Sequence, residues 1–466
     1  MKKRGRRRWL PVALGPAVVL GLVLCFGGGA WAESSQLVGN PDFALAGEQG
    51  LPARWSLWTP GWQPASCSVR READGLRIDG TGRPYAVGGV WQKLTEVKGG
   101  QAYAIEATCR ARAIPSPLQS LLVRLIWTHD GKPLHPAGML IRGPSPARTE
   151  AGGSPQDLRF ADVLVAPEEA DGARLSLEVK WPRGGSVCWR RVSVCPCAAP
   201  PPRKVKIGTV FLRPRNSTPE KNLELFCRQI DAAAELGLDV VCLGEAITMV
   251  GTTKGAGDVA EPIPGPSTRR LGQAAREGGL WVVAGLTERD GETVYNTAVL
   301  IDRKGQVAGK YRKVHLPREE WNKGITPGHE YPVFQTDFGT VAIQICYDWF
   351  FPEADTIFAL HGAEIIFAPT WGNTLPDEEG RVDGETVFRV RARDNGVYLI
   401  PSVYDGNSMV IDPMGRILAS NQGREGVFWA EVDLSRREPL RWVGYWRSIG
   451  PRHRMPATYG PMVAEP

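Results

Sequence analysis

Apolar and polar residues alternate in short runs over residues 35–197, separated by turns rich in glycine and proline. Two such runs are Arg159-Phe-Ala-Asp-Val-Leu-Val165 and Ala173-Arg-Leu-Ser-Leu-Glu-Val-Lys180. Alternation with a period of two gives a β-strand one apolar face, and we see no helical periodicity here. This part of the chain is therefore predicted to be an all-β sandwich.

The pattern changes after a proline-rich linker at residues 198–204. Thr218 and Pro219 form a helix-start signal, and apolar residues then recur at helical spacing. Strands and helices continue to alternate as far as about residue 440. We predict strands at 205–211, 239–243, 280–285, 293–301, 341–345, 364–367 and 397–403, and helices from 218, at 268–277 and at 385–394. Such alternation is typical of an α/β domain.

Three chemically active residues lie at or just beyond predicted strands: Glu245, Lys313 and Cys346. The ends of strands are where sites collect in α/β sheets. A cysteine nucleophile needs a base and a group that stabilises an oxyanion, and the glutamate and lysine can supply both. Each residue alone is weak evidence, because a cysteine in an apolar run is more often a small buried hydrophobe.

The sequence around these residues resembles the motifs of the carbon-nitrogen hydrolase (nitrilase) superfamily. The motifs are Leu243-Gly-Glu245, Gly309-Lys-Tyr-Arg-Lys313-Val-His-Leu-Pro317 and Ile345-Cys-Tyr-Asp-Trp-Phe-Phe-Pro-Glu353, with Gly244 where the family commonly has proline. The resemblance implies an α-β-β-α sandwich for residues 205–440, followed by a C-terminal extension at 441–466. It also implies homo-oligomers, and a thioester mechanism with Cys346 as nucleophile, Glu245 as proton carrier and Lys313 at the oxyanion.

Further site residues are implied by the same resemblance. Family members often carry a second glutamate after the lysine motif, and we choose Glu320 over Glu319. Tyr347, Trp371 and Asn373 are expected to contact the substrate. Nitrile-cleaving members tend to have Trp-Glu after the cysteine, whereas this chain has Tyr347-Asp348, which favours linear amides or N-carbamoyl compounds.

The formal net charge is +6, and six of the positive residues lie within the first eight positions. The remainder is near neutral, so no nucleic-acid partner is expected. An uncharged apolar stretch follows from Trp9 to Ala32 and ends Ala30-Trp-Ala32, the pattern of a secretory signal at residues 1–32. An uncleaved membrane anchor is the alternative. Both predict an exported protein: periplasmic, secreted or membrane-anchored.

Scattered motifs at 35–197, such as Gly39-Asn-Pro-Asp-Phe43 and Val90-Trp-Gln-Lys-Leu94, resemble a jelly-roll carbohydrate-binding-like module. Its tryptophans could stack on sugar rings, although most are expected to be packing residues. The candidates are Trp55, Trp58, Trp62, Trp127 and Trp181.

No cysteine or histidine cluster has zinc-ligand spacing, so neither a metal nor a cofactor is expected. The favoured function is an exported hydrolase of a small-molecule amide. Two alternatives remain: an N-acyltransferase that uses the same three residues, and a surface glycan-binding protein whose hydrolase fold is inert.

Overall fold

The computed structural model describes residues 36–147, 157–372 and 383–463. The first half of the chain, up to Cys197, contains two antiparallel sheets. The strands are β1 (Ser56–Trp58), β2 (Ser68–Glu72), β3 (Gly75–Asp79), β4 (Val87–Leu94), β5 (Ala102–Arg112), β6 (Leu121–His129), β7 (Lys132–Pro133), β8 (Met139–Leu140), β9 (Ser145–Pro146), β10 (Asp157–Val165), β11 (Gly172–Lys180) and β12 (Ser186–Cys197). One sheet has the order β1-β4-β11-β6-β7, with β8 also on β6, and the other β2-β3-β12-β5-β10-β9. A one-turn helix, α1 (Pro117–Ser120), was not expected in this region.

The two sheets share one apolar core, to which β6 and β11 contribute Leu125 and Leu177 and β5 and β12 contribute Ile105 and Trp189. This arrangement agrees with a two-sheet β structure, whereas the jelly-roll resemblance and the domain bounds stay predictions.

The candidate sugar-stacking tryptophans divide by exposure. Trp55 and Trp127 are buried packing residues, whereas Trp62 and Trp181 are exposed. Trp62 lies 5.1 Å from the exposed Tyr85, measured between ring centroids. A glycan contact through this pair stays a prediction.

The second half contains two further six-stranded sheets and most of the helices. The first sheet is formed by β13 (Lys204–Phe211), β14 (Val240–Cys242), β15 (Trp281–Asp290), β16 (Thr293–Ile301), β17 (Val307–Arg312) and β24 (Gly426–Asp433); the second by β18 (Phe334–Gln335), β19 (Thr340–Ile343), β20 (Ile365–Gly372), β21 (Tyr398–Asp405), β22 (Met409–Ile411) and β23 (Ile417–Ser420). The strands β25 (Pro439–Leu440) and β26 (Gly444–Tyr445) form a separate pair. The helices are α2 (Pro219–Glu235), α3 (Ala256–Val259), α4 (Pro266–Gly278), α5 (Arg318–Trp321), α6 (Pro352–Leu360), α7 (Asp383–Asn395), α8 (Trp446–His453) and α9 (Gly460–Val463).

These elements stack in four layers. Phe226 of α2 and Leu271 of α4 pack with Val282 on one face of the first sheet. Its other face meets the second sheet, and Phe358 of α6 and Phe388 of α7 join that core. The predicted α/β fold is therefore confirmed for this half, with helices outside two facing sheets.

Several predicted elements are found, with shifted ends. The Thr218 hydroxyl caps α2 by accepting from the backbone N–H of Lys221, as the sequence predicted. Strand β15 runs to Asp290, beyond its predicted end at residue 285, because Gly291 adopts a φ of 61° in a tight turn that pairs Asp290 with Thr293. In the described part of the chain, every helix is too short or too polar to span a bilayer.

The C-terminal segment, residues 434–463, packs against the first half of the chain. Arg437 pairs with Asp162 through both carboxylate oxygens, at 2.7 and 2.9 Å, and the Asp162 side chain is fully buried. Arg452, 4% exposed, donates to the carbonyls of Leu118, Ile141 and Gly143. Within the predicted extension at 441–466, the described residues are thus attached to the first half of the chain through Arg452.

Replacing Arg437 with glutamine should destabilise the protein, because it leaves the buried Asp162 carboxylate paired only with Arg142. We expect a loss of about 2 kcal/mol in the free energy of unfolding, measured by urea denaturation. The exposed neighbour substitution Arg436→Gln should cost less than about 0.5 kcal/mol.

The effect of Arg437→Gln on the free energy of unfolding should also depend on pH. Burial by itself would raise the pKa of Asp162, but Arg437 and Arg142 bring it below its ordinary value. A lowered pKa stabilises the fold above about pH 4, and this contribution is lost as the pH falls through the folded-state pKa. The difference between wild type and Arg437→Gln should therefore shrink below about pH 4; a difference constant down to pH 2 would contradict this interpretation.

Candidate active site

Glu245, Lys313 and Cys346 each follow the carboxyl end of a strand. Glu245 follows β14, which is parallel to β15; Lys313 follows β17, which is antiparallel to β16 and hence runs in the same direction as β15. Cys346 follows β19 in the facing sheet. The two sheets therefore bring the three residues to a common edge, as predicted for sites in α/β domains.

At this edge, a buried lysine is held between two carboxylates. Lys313 Nζ lies 3.0 Å from Glu245 Oε1 and 2.6 Å from Glu320 Oε1. Lys313 is fully buried and Glu245 is 2% exposed. Glu319, the alternative to Glu320, is exposed and lies outside this cluster. A buried ammonium group requires such pairing, since an isolated buried charge is strongly unfavourable.

Two polar residues that were not predicted from the sequence, Asn296 and Tyr404, also contact Glu245. Asn296 Nδ2 donates to Glu245 Oε1 at 2.7 Å and to Glu320 Oε1 at 3.0 Å. The Tyr404 hydroxyl donates to the backbone carbonyl of Glu245 at 2.8 Å. The only sequence signal for Asn296 is a polar amide two positions before the apolar run Ala298-Val-Leu-Ile301 that ends β16.

Small residues allow the Glu245 turn to pack closely. A Cβ on Gly244 would lie 2.4 Å from the Tyr404 hydroxyl oxygen, and one on Gly285 would lie 2.6 Å from the Glu245 Cα. Gly244, the departure from the family's usual proline, therefore makes room for the ring of Tyr404.

The cluster changes the protonation of its members. Burial by itself would lower the pKa of Lys313, but Glu245, Cys346 and Glu320 raise it above its ordinary value, so the lysine stays cationic. Burial raises the pKa of Glu320 to about 7; the charge of Lys313 opposes this rise and that of Glu245 adds to it. Glu320 therefore titrates near neutral pH.

Cys346 has a strained backbone, with a φ of 42°, at the start of a one-turn 3-10 segment, Cys346–Phe350. Glu245, Lys313 and the backbone N–H of Trp371 surround its thiol. Burial raises the pKa of Cys346 to about 12; Glu245 adds to the rise, and Lys313 opposes it. Lys313 thus favours the thiolate, but burial and Glu245 outweigh its effect, so the resting thiol stays protonated.

The predicted substrate-contact residues have different surroundings. The Trp371 N–H donates to Glu245 Oε2 at 2.6 Å, whereas its side chain packs edge-on against Tyr404. Tyr347 is half-buried and packs against Phe350 and Phe351. Asn373 lies outside the described residues.

Comparison with known proteins agrees with this geometry. The model of the carbon-nitrogen hydrolase family matches residues 206–441, slightly more than half of the 466 residues. The chain belongs to the carbon-nitrogen hydrolase family. It is therefore an enzyme of that class, with the site described above at the strand ends of the matched region.

The family members similar to this chain include eukaryotic and archaeal proteins. Omega-amidase NIT2 of Xenopus tropicalis is 31% identical over 240 residues, covering 47% of this chain and 86% of the relative. A nitrilase of Pyrococcus abyssi is 32% identical over 246 residues, covering 49% and 90%.

Similar solved structures include Saccharomyces cerevisiae Nit3, 26% identical with a TM-score of 0.45, covering 49% of this chain and 90% of that one. A Nesterenkonia amidase is 25% identical with a TM-score of 0.44, covering 50% and 93%.

The raised pKa of Cys346 predicts how its thiol reacts with iodoacetamide. Glu245→Gln removes the negative charge that raises this pKa, so the pH midpoint of Cys346 alkylation should fall. At pH 8 the rate should rise about tenfold for each unit by which the pKa falls. Peptide mass spectrometry after timed labelling measures this rate.

The exposed substitution Glu319→Gln is the matched control and should leave the Cys346 rate unchanged. Cys227 and Cys242, which are 1% and 0% exposed, should label later than Cys346. Slower labelling of Cys346 in Glu245→Gln would show that Glu245 promotes ionisation of the resting thiol.

Proposed function

We propose that this carbon-nitrogen hydrolase cleaves the C–N bond of a small linear amide or N-carbamoyl compound through a thioester on Cys346. The observation that carries the proposal is a pair of buried acceptors: Asn296 Oδ1 and Glu320 Oε2 have no hydrogen-bond partner among the described residues. An unpaired buried polar atom costs about 1–3 kcal/mol. An amide nitrogen brings N–H donors to these atoms, whereas a nitrile has none.

Two further observations support the choice of an amide. Relatives of this chain carry the names omega-amidase and amidase, although one is named nitrilase. Tyr347-Asp348 follows the cysteine in place of the Trp-Glu pair associated with nitrile cleavage.

In the first half-reaction, Glu245 takes the thiol proton while the Cys346 sulfur bonds to the substrate carbonyl carbon. The raised pKa of the thiol requires this transfer to accompany the attack, because little thiolate exists at neutral pH. Lys313 donates to the oxyanion that forms. The C–N bond then breaks, and Glu245 returns the proton to the leaving nitrogen, which departs as ammonia or an amine.

In the second half-reaction, Glu245 takes a proton from water, and the hydroxide oxygen bonds to the thioester carbon. The C–S bond breaks, and the proton goes to sulfur, which restores the Cys346 thiol and releases the acid. An acyltransferase would share the first half-reaction and admit an amine in place of water. Product analysis with and without added amine distinguishes the two reactions, and a screen for ammonia release from amides and carbamoyl compounds identifies the substrate.

The three central side chains should have separable effects on turnover. Cys346→Ala should abolish activity, because the nucleophile is lost with little change in volume. Glu245→Gln should lower kcat by about 10²–10⁴-fold through loss of proton transfer. Lys313→Ala should lower it by about 10²–10³-fold through loss of oxyanion stabilisation.

Steady-state kinetics on the screened substrate measure these effects, with circular dichroism to confirm folding. Cys242→Ala is the matched control: it changes another buried cysteine of the same domain and should retain most of the activity. Turnover by Cys346→Ala at the wild-type rate would contradict the proposal.

We also propose that the enzyme acts outside the cytoplasm, after cleavage at the Ala30-Trp-Ala32 site. The charge and hydropathy pattern of residues 1–32, which lie outside the described residues, supports this. N-terminal sequencing of the mature protein should begin at Glu33. A chain that retains residues 1–32 would favour the membrane-anchor alternative.

A further inference from the structure

Asp348 lies two residues beyond Cys346, is fully buried, and contacts four groups. Its Oδ2 accepts from the backbone N–H of Ile345 at 3.0 Å and from the Tyr311 hydroxyl at 2.8 Å. Its Oδ1 accepts from the backbone N–H of His315 at 3.0 Å and lies 2.8 Å from His315 Nδ1. One carboxylate therefore joins the chain at Cys346 to the chain at Lys313.

The contacts of Asp348 flank both of these residues. Ile345 directly precedes Cys346, whereas Tyr311 and His315 lie two residues before and after Lys313. The Tyr311 hydroxyl also accepts from the N–H of Val314 at 3.3 Å, which closes the loop around Lys313. The His315 ring stacks on Phe351, with centroids 3.9 Å apart and planes inclined at 11°.

Such a connection is needed because the two residues come from different sheets. The left-handed backbone of Cys346 is strained and persists only where its surroundings hold it. Hydrogen bonds to a buried carboxylate are stronger than neutral ones, and the Ile345 N–H is fixed by one of them at the residue before the strained position.

We propose that Asp348 is a positioning residue that fixes the Cys346 sulfur relative to the Lys313 ammonium group. The inference rests on the proposed function of these two residues. Asp348 acts through the backbone of the cysteine turn and the lysine loop. Asparagine cannot replace it, because its NH₂ group would face a backbone N–H donor, that of Ile345 or that of His315, whichever way the amide is turned.

The test compares Asp348→Asn with wild type. We expect kcat to fall on the order of 10–100-fold with KM within about twofold, because a small misplacement of the nucleophile slows the chemical step. The pH midpoint of Cys346 alkylation should fall towards the ordinary thiol value, since the sulfur leaves its buried position beside Glu245.

Asp412→Asn is the matched control, a buried carboxylate that accepts from the N–H groups of Met414 and Arg416 in the turn between β22 and β23. It should lower thermal stability but leave kcat and the alkylation midpoint unchanged. Equal kinetic losses in both variants would overturn the proposal, as would wild-type kcat and alkylation in Asp348→Asn.

If Asp348→Asn does not fold, Tyr311→Phe tests the positioning role instead, because it removes one of the four contacts and keeps the carboxylate. A smaller fall in kcat with the same downward shift in alkylation supports the proposal, and wild-type values overturn it. Cys346→Ala distinguishes a failure of the proposed function from a failure of the positioning role. If Cys346→Ala keeps its activity, the proposed function is wrong. If Cys346→Ala is inactive but Asp348→Asn is fully active, only the positioning role of Asp348 is wrong.

Discussion

The fully buried ammonium group of Lys313 is the constraint on which the rest of the site depends. Taking a charge out of water costs several kcal/mol, which only close opposite charges and hydrogen bonds can offset. Glu245 and Glu320 supply the charges, and Asn296 adds donors that keep both carboxylates oriented. Their strands must therefore end at the same edge, which couples the layer order of the domain to its chemistry.

The same charges explain why the site combines acid and base functions. Burial raises the pKa of Glu320 to about 7, with a smaller contribution from the charge of Glu245, while the charge of Lys313 opposes the rise. Burial, together with the charge of Glu245, also keeps the Cys346 thiol protonated in the resting site. The resting site thus holds its proton on sulfur, adjacent to the group proposed to remove it, and avoids an exposed reactive thiolate.

The site residues that lie in or near short sequence motifs could be predicted from the sequence. Glu245, Lys313, Cys346 and Glu320 meet as predicted, because strand ends and motif order restrict where they can lie. Asn296 and Tyr404 were missed, because a single polar residue within an apolar strand does not reveal its partner in the folded protein. The raised pKa of Cys346 could not be predicted for a related reason: burial, its largest cause, depends on packing between two sheets.

The attachment of the C-terminal segment to the first half of the chain was not predicted, because it depends on contacts between residues far apart in the sequence. The contacts of Arg437 and Arg452 with the first half join residues 275 to 334 positions apart, and no local pattern predicts them. The turn that extends β15 is, in contrast, a local feature: Asp290 pairs with Thr293, and Gly291 begins the two-residue loop between them with a positive φ.

The most direct test of the thioester mechanism is rapid acid quenching of the enzyme during turnover, followed by mass spectrometry of the peptide that carries Cys346. A thioester intermediate predicts an adduct with the mass of the acyl group on Cys346, absent from Cys346→Ala and removed by hydroxylamine. An adduct on another residue, or turnover in Cys346→Ala without any acyl-enzyme, would contradict it.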